Sequence, residues 1–129
     1  MEKSIDLEEM YCPLELAEDL ERKGFGDDWK GGSIRKYLEG VEGYRLPTIQ
    51  VVLEWFRTRH DLEISVTPAF GEYETFPGGG FFEDTLEGWQ LTIYDLKGCR
   101  VKYSRGNSYY MTHLSGCMAG IRYCLENLV

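Results

Sequence analysis

Apolar residues in the first half of the chain recur at helical spacing. In "CPLELAEDLERKGFG", Leu16, Ala17 and Leu20 share a face, Pro13 occupies a first-turn position, acids come early, Arg22 and Lys23 come late, and Gly24 supplies a stop. The short stretch "GSIRKYLEG" offers Ser33 as a cap before Ile34, Tyr37 and Leu38, with Gly40 as terminator. A third helix is predicted in "LPTIQVVLEWFRTRH", started by Pro47, with Thr48, Val51, Val52, Trp55 and Phe56 at three- and four-residue spacings and a basic last turn.

At Asp61 the period falls from about 3.6 to 2, the strand repeat. "DLEISVTP" sets Leu62, Ile64 and Val66 against Glu63, Ser65 and Thr67, and Pro68, which cannot donate to a ladder, is expected to end the strand or mark an irregularity. Tyr73 falls in a further predicted strand from Ala69 to Phe76. "GWQLTIYDL" alternates through Trp89, Leu91 and Ile93, "CRVKYSR" through Val101 and Tyr103, and "DLKG" between them reads as a hairpin turn. Helical spacing returns in "THLSGCMAGIRYCLENLV", where Cys117, Ile121, Cys124, Leu125 and Leu128 form a stripe behind a Thr112 cap. Gly116 and Gly120 disfavour this helix, so close packing on the sheet is the expected reason that it forms. The order α, α, α, β, β, β, β, α, without repeat or long linker, predicts an α+β fold. It is an antiparallel sheet of three to four strands, with N-terminal helices and a C-terminal helix packed on one face, in a single globular domain spanning residues 1–129.

The succession "LELAEDLERKGF", "YRLPTIQVVLEWFRTRHDLEISVTPAFG" and "MAGIRYCLENLV" resembles a family of small uncharacterised proteins encoded in phages and prophages of gut bacteria. That family places a helix with a Lys-Gly-Phe-like stop before a Pro-Thr-initiated helix with a Trp-Phe-Arg or Trp-Leu-Arg centre, followed directly by a strand. The likeness implies a phage or mobile-element origin, and its packing and capping signals carry no catalytic residue with them.

Composition narrows the function classes. The 129 residues carry 14 basic and 22 acidic side chains, a net charge of −8, which gives no general attraction to phosphate backbones or anionic lipid. No run approaches the roughly 20 apolar residues of a spanning helix, and the acidic N-terminus is unlike a secretory signal, so a cytoplasmic location without membrane contact is expected. Cys12, Cys99, Cys117 and Cys124 lack CxxC or Cys/His ligand spacing, and no metal or cofactor is expected. Cys117 and Cys124 lie about 10 Å apart along a helix, too far for a disulfide. They read as small core residues, and Cys12 and Cys99 as partly buried thiols.

Two stretches carry candidate chemistry. "GEYETFPGGGFFEDTLEGW" contains Glu72, Glu74, Glu83, Asp84 and Glu87 and no Lys or Arg, which excludes a phosphate cradle and leaves a connection between strands. Its aromatic content exceeds what a connection needs. Tyr73, Phe76, Phe81 and Phe82 therefore mark a candidate contact with a protein partner bearing a basic groove, and homodimerisation stays open. Lys97, Arg100, Lys102 and Arg105, followed by Tyr109 and Tyr110, form the alternative, a nucleic-acid or anion-binding hairpin with Arg100, Lys102 and Ser104 on one face. The competing reading of that face is a solvated strand with ion pairs to acids such as Glu63. His60, at the negative end of its helix, and His113, one turn before Cys117, belong to no catalytic motif.

Overall fold

Residues 11–29, 34–74, 82–106 and 108–129 are described by a computed structural model. The chain divides into two compact units, Met1–Asp61 with Ile121–Val129, and Leu62–Gly120. Its helices and three-stranded antiparallel sheet make it an α+β protein.

In the first unit, α1 (Leu14–Arg22) begins at Pro13, which is the N-cap, and buries Leu16, Ala17 and Leu20. Its end follows the sequence signal: the amides of Lys23 and Gly24 return to Leu20 and Glu21, and Gly24 adopts φ +90°, a conformation natural to glycine. An unpredicted element follows. The four-residue helix α2 (Phe25–Asp28) starts at that same Gly24 and buries Phe25. Helix α3 (Ile34–Leu38) buries only Ile34, and the expected apolar partners Tyr37 and Leu38 are exposed. The proposed Ser33 cap lies outside the described residues.

Helix α4 (Ile49–Arg59) corrects the predicted stripe by one position. Thr48 is its N-cap, accepting the Val51 amide on Oγ1 at 3.3 Å, and the buried row is Ile49, Val52, Trp55 and Phe56, with Val51 exposed. The amide of Cys12 donates to the Pro47 carbonyl at 2.8 Å, and a Tyr11–Thr48 bridge holds the chain ahead of α1 beside the start of α4.

In the second unit, β1 (Leu62–Glu74) and β2 (Phe82–Asp95) form a long antiparallel hairpin, and β3 (Arg100–Ser104) pairs with the other edge of β2. The strands predicted on either side of Pro68 are one strand, and β2 reaches back through the acidic segment to Phe82, so there are three strands. Ile64 faces Ile93 and Val66 faces Leu91 across the register. The final helix, α5 (His113–Asn127), is opened by a reciprocal cap: Thr112 Oγ1 accepts the Ser115 amide at 3.0 Å, and Ser115 Oγ accepts the Thr112 amide at 3.2 Å. Its Gly116 and Gly120 lie against this sheet. A Cβ on Gly120 would stand 2.5 Å from Ile64 Cγ2 and 2.9 Å from Leu91 Cδ1, and one on Gly116 would stand 2.8 Å from Val66 Cγ1. Cys117, Ile121, Cys124 and Leu125 are buried as predicted, while Leu128 is half-buried beyond the helix end.

Candidate functional site

The β1–β2 hairpin changes the meaning of the acidic segment. Glu74 stands opposite Phe82, so most of the predicted connection from Gly71 to Gly88 is paired strand and only residues 75–81 join the two arms. Phe76 and Phe81 lie outside the described residues; the backbones of Tyr73 and Phe82 lie on β1 and β2, opposite Glu83 and Glu74.

The irregularity expected at Pro68 occurs one residue later and on the opposite strand. Ala69 pairs with Gly88 but Phe70 with Leu86, which leaves Glu87 as an extra residue in β2. This bulge sets which side chains meet. Without it, Phe70 would face Glu87; with it, Phe70 and Leu86 form an apolar cross-strand pair, 64% and 50% exposed. By the period-2 alternation of strands, Phe70 continues the row of Ile64, Val66 and Pro68. At the start of α5 the His113 ring packs edge-on against Trp89 at 5.2 Å; Trp89 is opposite Pro68, which is itself exposed. Phe70 and Leu86 therefore lie on the exposed end of a row that is buried at Ile64, half-buried at Val66 and open from Pro68 onward.

The basic turn is organised differently from the sequence expectation. A bulge between Ile93 and Tyr94 pairs Tyr94 with Val101 and Ile93 with Tyr103, so Lys102 has no opposite residue and the alternation that would align Arg100, Lys102 and Ser104 is interrupted. Arg100 lies 3.7 Å from Asp95, the acid directly across the register. The amide of Gly98 and then that of Lys97 hold the Asp95 carboxyl below its usual range, with Lys102 and Arg100 adding to the effect. Arg105 lies over the Tyr110 ring at 4.5 Å. Tyr110 in turn exchanges two 2.8 Å backbone hydrogen bonds with Trp89, fixing the tyrosine segment to β2 beyond the residues that pair with β3. Arg100 and Arg105 thus serve separate intramolecular contacts.

Comparison with protein-family models, curated proteins and solved structures returns no match.

All four cysteines are free thiols. Cys12 is fully buried and Cys99 exposed in the turn Leu96–Cys99, unlike the partial burial expected of both. Cys117 Sγ is 3.7 and 3.8 Å from the two ring nitrogens of His113, so it is not directed at either one. Burial pushes its thiol up to about 11, and those of Cys12 and Cys124 to about 12. A thiolate nucleophile is disfavoured at each. Among the described residues, no group of three or more His, Cys, Asp and Glu is placed to hold a metal ion, and no helix is long and apolar enough to cross a membrane.

His60 caps the C-terminus of α4, as the sequence placed it, but its ring packs edge-on against Trp55 at 4.7 Å and its Nε2 is buried without a hydrogen-bond partner among the described residues. Desolvation, then the neighbouring Arg59, lowers its pKa below the ordinary 6.5, against smaller opposing effects of Asp28 and Asp61. The unfolded chain then binds the proton more readily, so stability is complete above about pH 6.5 and falls as pH drops toward the lower folded value. Urea midpoints at pH 7.5 and 5.5 should fall more for the wild type than for His60→Gln. An equal fall in both proteins would remove His60 as the cause.

Proposed function

We propose that this protein is a binding module that engages a protein partner through the distal arm of the β1–β2 hairpin. The observation that carries this reading is the exposed Phe70–Leu86 pair, an apolar cross-strand contact that continues the sheet row of Ile64 and Val66 past the exposed Pro68. Adjacent exposed apolar side chains on a paired backbone present contact area without the ordering cost of a free loop. The same arm holds five acids and no basic residue from Gly71 to Gly88, which suits a partner with a basic rim around an apolar groove. The phage or prophage likeness of the sequence makes a bacterial host protein the first place to look for it.

The nucleic-acid alternative on Lys97, Arg100, Lys102 and Arg105 is less favoured by the same geometry, because Arg100 is directed at Asp95 and Arg105 at Tyr110.

A photo-crosslinking residue in place of Leu86 tests the reading in bacterial lysate. A single crosslinked protein is expected, reduced by added salt and by Phe70→Ser. With that partner purified, the Phe70→Ser, Leu86→Ser double variant should bind about 100-fold more weakly, a loss of roughly 3 kcal/mol. Crosslinking indifferent to Phe70→Ser, or absent altogether, would remove the arm from consideration.

A further inference from the structure

The first unit holds a cleft apart from the hairpin arm. It is an open space of about 360 Å³ between α2 with Trp29 and one face of α4, a volume in the small-molecule range. Three rings line it. Phe25 and Trp55 meet edge-to-face at 5.3 Å, and Trp29 is tilted against Phe25 at 5.6 Å and half-exposed. Asp28 and Glu54 contribute carboxylates to the lining.

The carboxylate of Asp28 is fixed in place. Its Oδ2 accepts the Trp55 Nε1–H at 2.9 Å and lies 3.4 Å from Arg59 Nε. Both contacts fall on one oxygen, which leaves the acceptor capacity of Oδ1. Glu54 likewise meets Arg57 through Oε2 alone. Arg57 is not part of the lining, which holds the two acids Asp28 and Glu54 against one basic residue, Arg59, and so favours a cation. The half-exposed Trp29 ring adds a surface that attracts a cation and repels an anion.

We propose that this cleft binds an organic cation, an ammonium or guanidinium group on an apolar stem, with the stem against Trp29 and the charged head toward Asp28 and Glu54. This goes beyond the hairpin reading and does not depend on it. Such a head occurs both on free amines and on the Lys or Arg side chains of a peptide, and the chemistry of the cleft is common to the two.

The test is a titration of the full-length protein followed by the indole N–H resonance of Trp55. Its probes are n-butylammonium, n-butanol, butyrate, and acetyl-Gly-Lys-Gly-amide beside acetyl-Gly-Gly-Gly-amide. Saturable shifts are expected with butylammonium or the lysine peptide and not with butanol, butyrate or the glycine peptide. Affinity should fall about fivefold to tenfold in Glu54→Gln, an exposed change that leaves the core intact. Trp29→Ala should weaken binding as well. Tighter binding of the lysine peptide than of butylammonium would identify a partner's side chain as the source, and the reverse a free amine. The proposal is overturned by equal responses to butanol or butyrate, by unchanged affinity in Glu54→Gln, or by no response to either cation.

Discussion

Gly120→Ala is expected to unfold at a lower urea concentration than the wild type, by about 1–2 kcal/mol, although alanine is the better helix former. Two effects oppose each other. Removing glycine from a helix interior gains up to about 1 kcal/mol of propensity. The new methyl, however, would stand 2.5 Å from Ile64 Cγ2 and 2.9 Å from Leu91 Cδ1, and overpacking of this kind costs about 1–3 kcal/mol. Both contacted side chains belong to paired strands, so neither gives way without moving its strand, and crowding wins. Gly120→Val should lose more than about 3 kcal/mol, because β-branching adds bulk at the same point. Ile64→Ala should make the Gly120→Ala loss smaller, a coupling that a double-mutant cycle reads directly. A Gly120→Ala protein more stable than the wild type would mean that α5 is not seated on Ile64 and Leu91.

Phe25→Ala should cost about 3–5 kcal/mol, the usual loss for emptying a large buried aromatic site. Phe25 is the only buried residue of α2, and its ring contacts both Trp29 and Trp55. Four residues cannot hold a helix by their own hydrogen bonds, so α2 depends on that anchor. Tryptophan fluorescence in the absence of denaturant should shift as Trp29 loses its neighbour, and the urea midpoint should fall with it. Phe70→Ser supplies the contrast. Its exposed ring should change stability by no more than about 0.5 kcal/mol, which separates a residue held for packing from one available for contact.

Most of the helices were legible because each had both an apolar period and an end signal. Pro13 and Gly24 bound α1, the Pro47 read as a start stands one residue ahead of the Thr48 cap of α4, and Thr112 caps α5. Helix α2 escaped because Phe-Gly-Asp-Asp is too short to show a period and begins where a stop had been read. Its one signal was the i, i+4 spacing of Phe25 and Trp29, and the cleft was missed with it. The sheet was legible in its alternating middle, Leu62 to Val66 and Trp89 to Ile93, and in the strand expected from Ala69, which runs to Glu74, but not in the returning arm from Phe82 to Gly88. Glycine and acids disfavour strand locally between Gly71 and Gly88, and the register with the opposite arm overrides them. The Phe70–Leu86 pair was not read because its facing depends on a bulge at Glu87, and its signals, Pro68 on one strand and Gly88 at φ +157° on the other, mark an irregularity without giving its register.

Strand β1 lies at the end of the strand order, so along 13 residues its outer backbone groups meet no neighbouring strand among the described residues. An edge of that length beside an exposed phenylalanine is a template on which copies of the chain could stack into aggregates. The sequence interrupts the template twice, with Pro68, which has no N–H to offer, and with acids at Glu72 and Glu74 that repel a second copy of the same arm. The acids that make the arm attractive to a basic partner thus also act as its gatekeepers. Replacing them with neutral residues to improve the apolar contact would trade a specific complex for self-assembly.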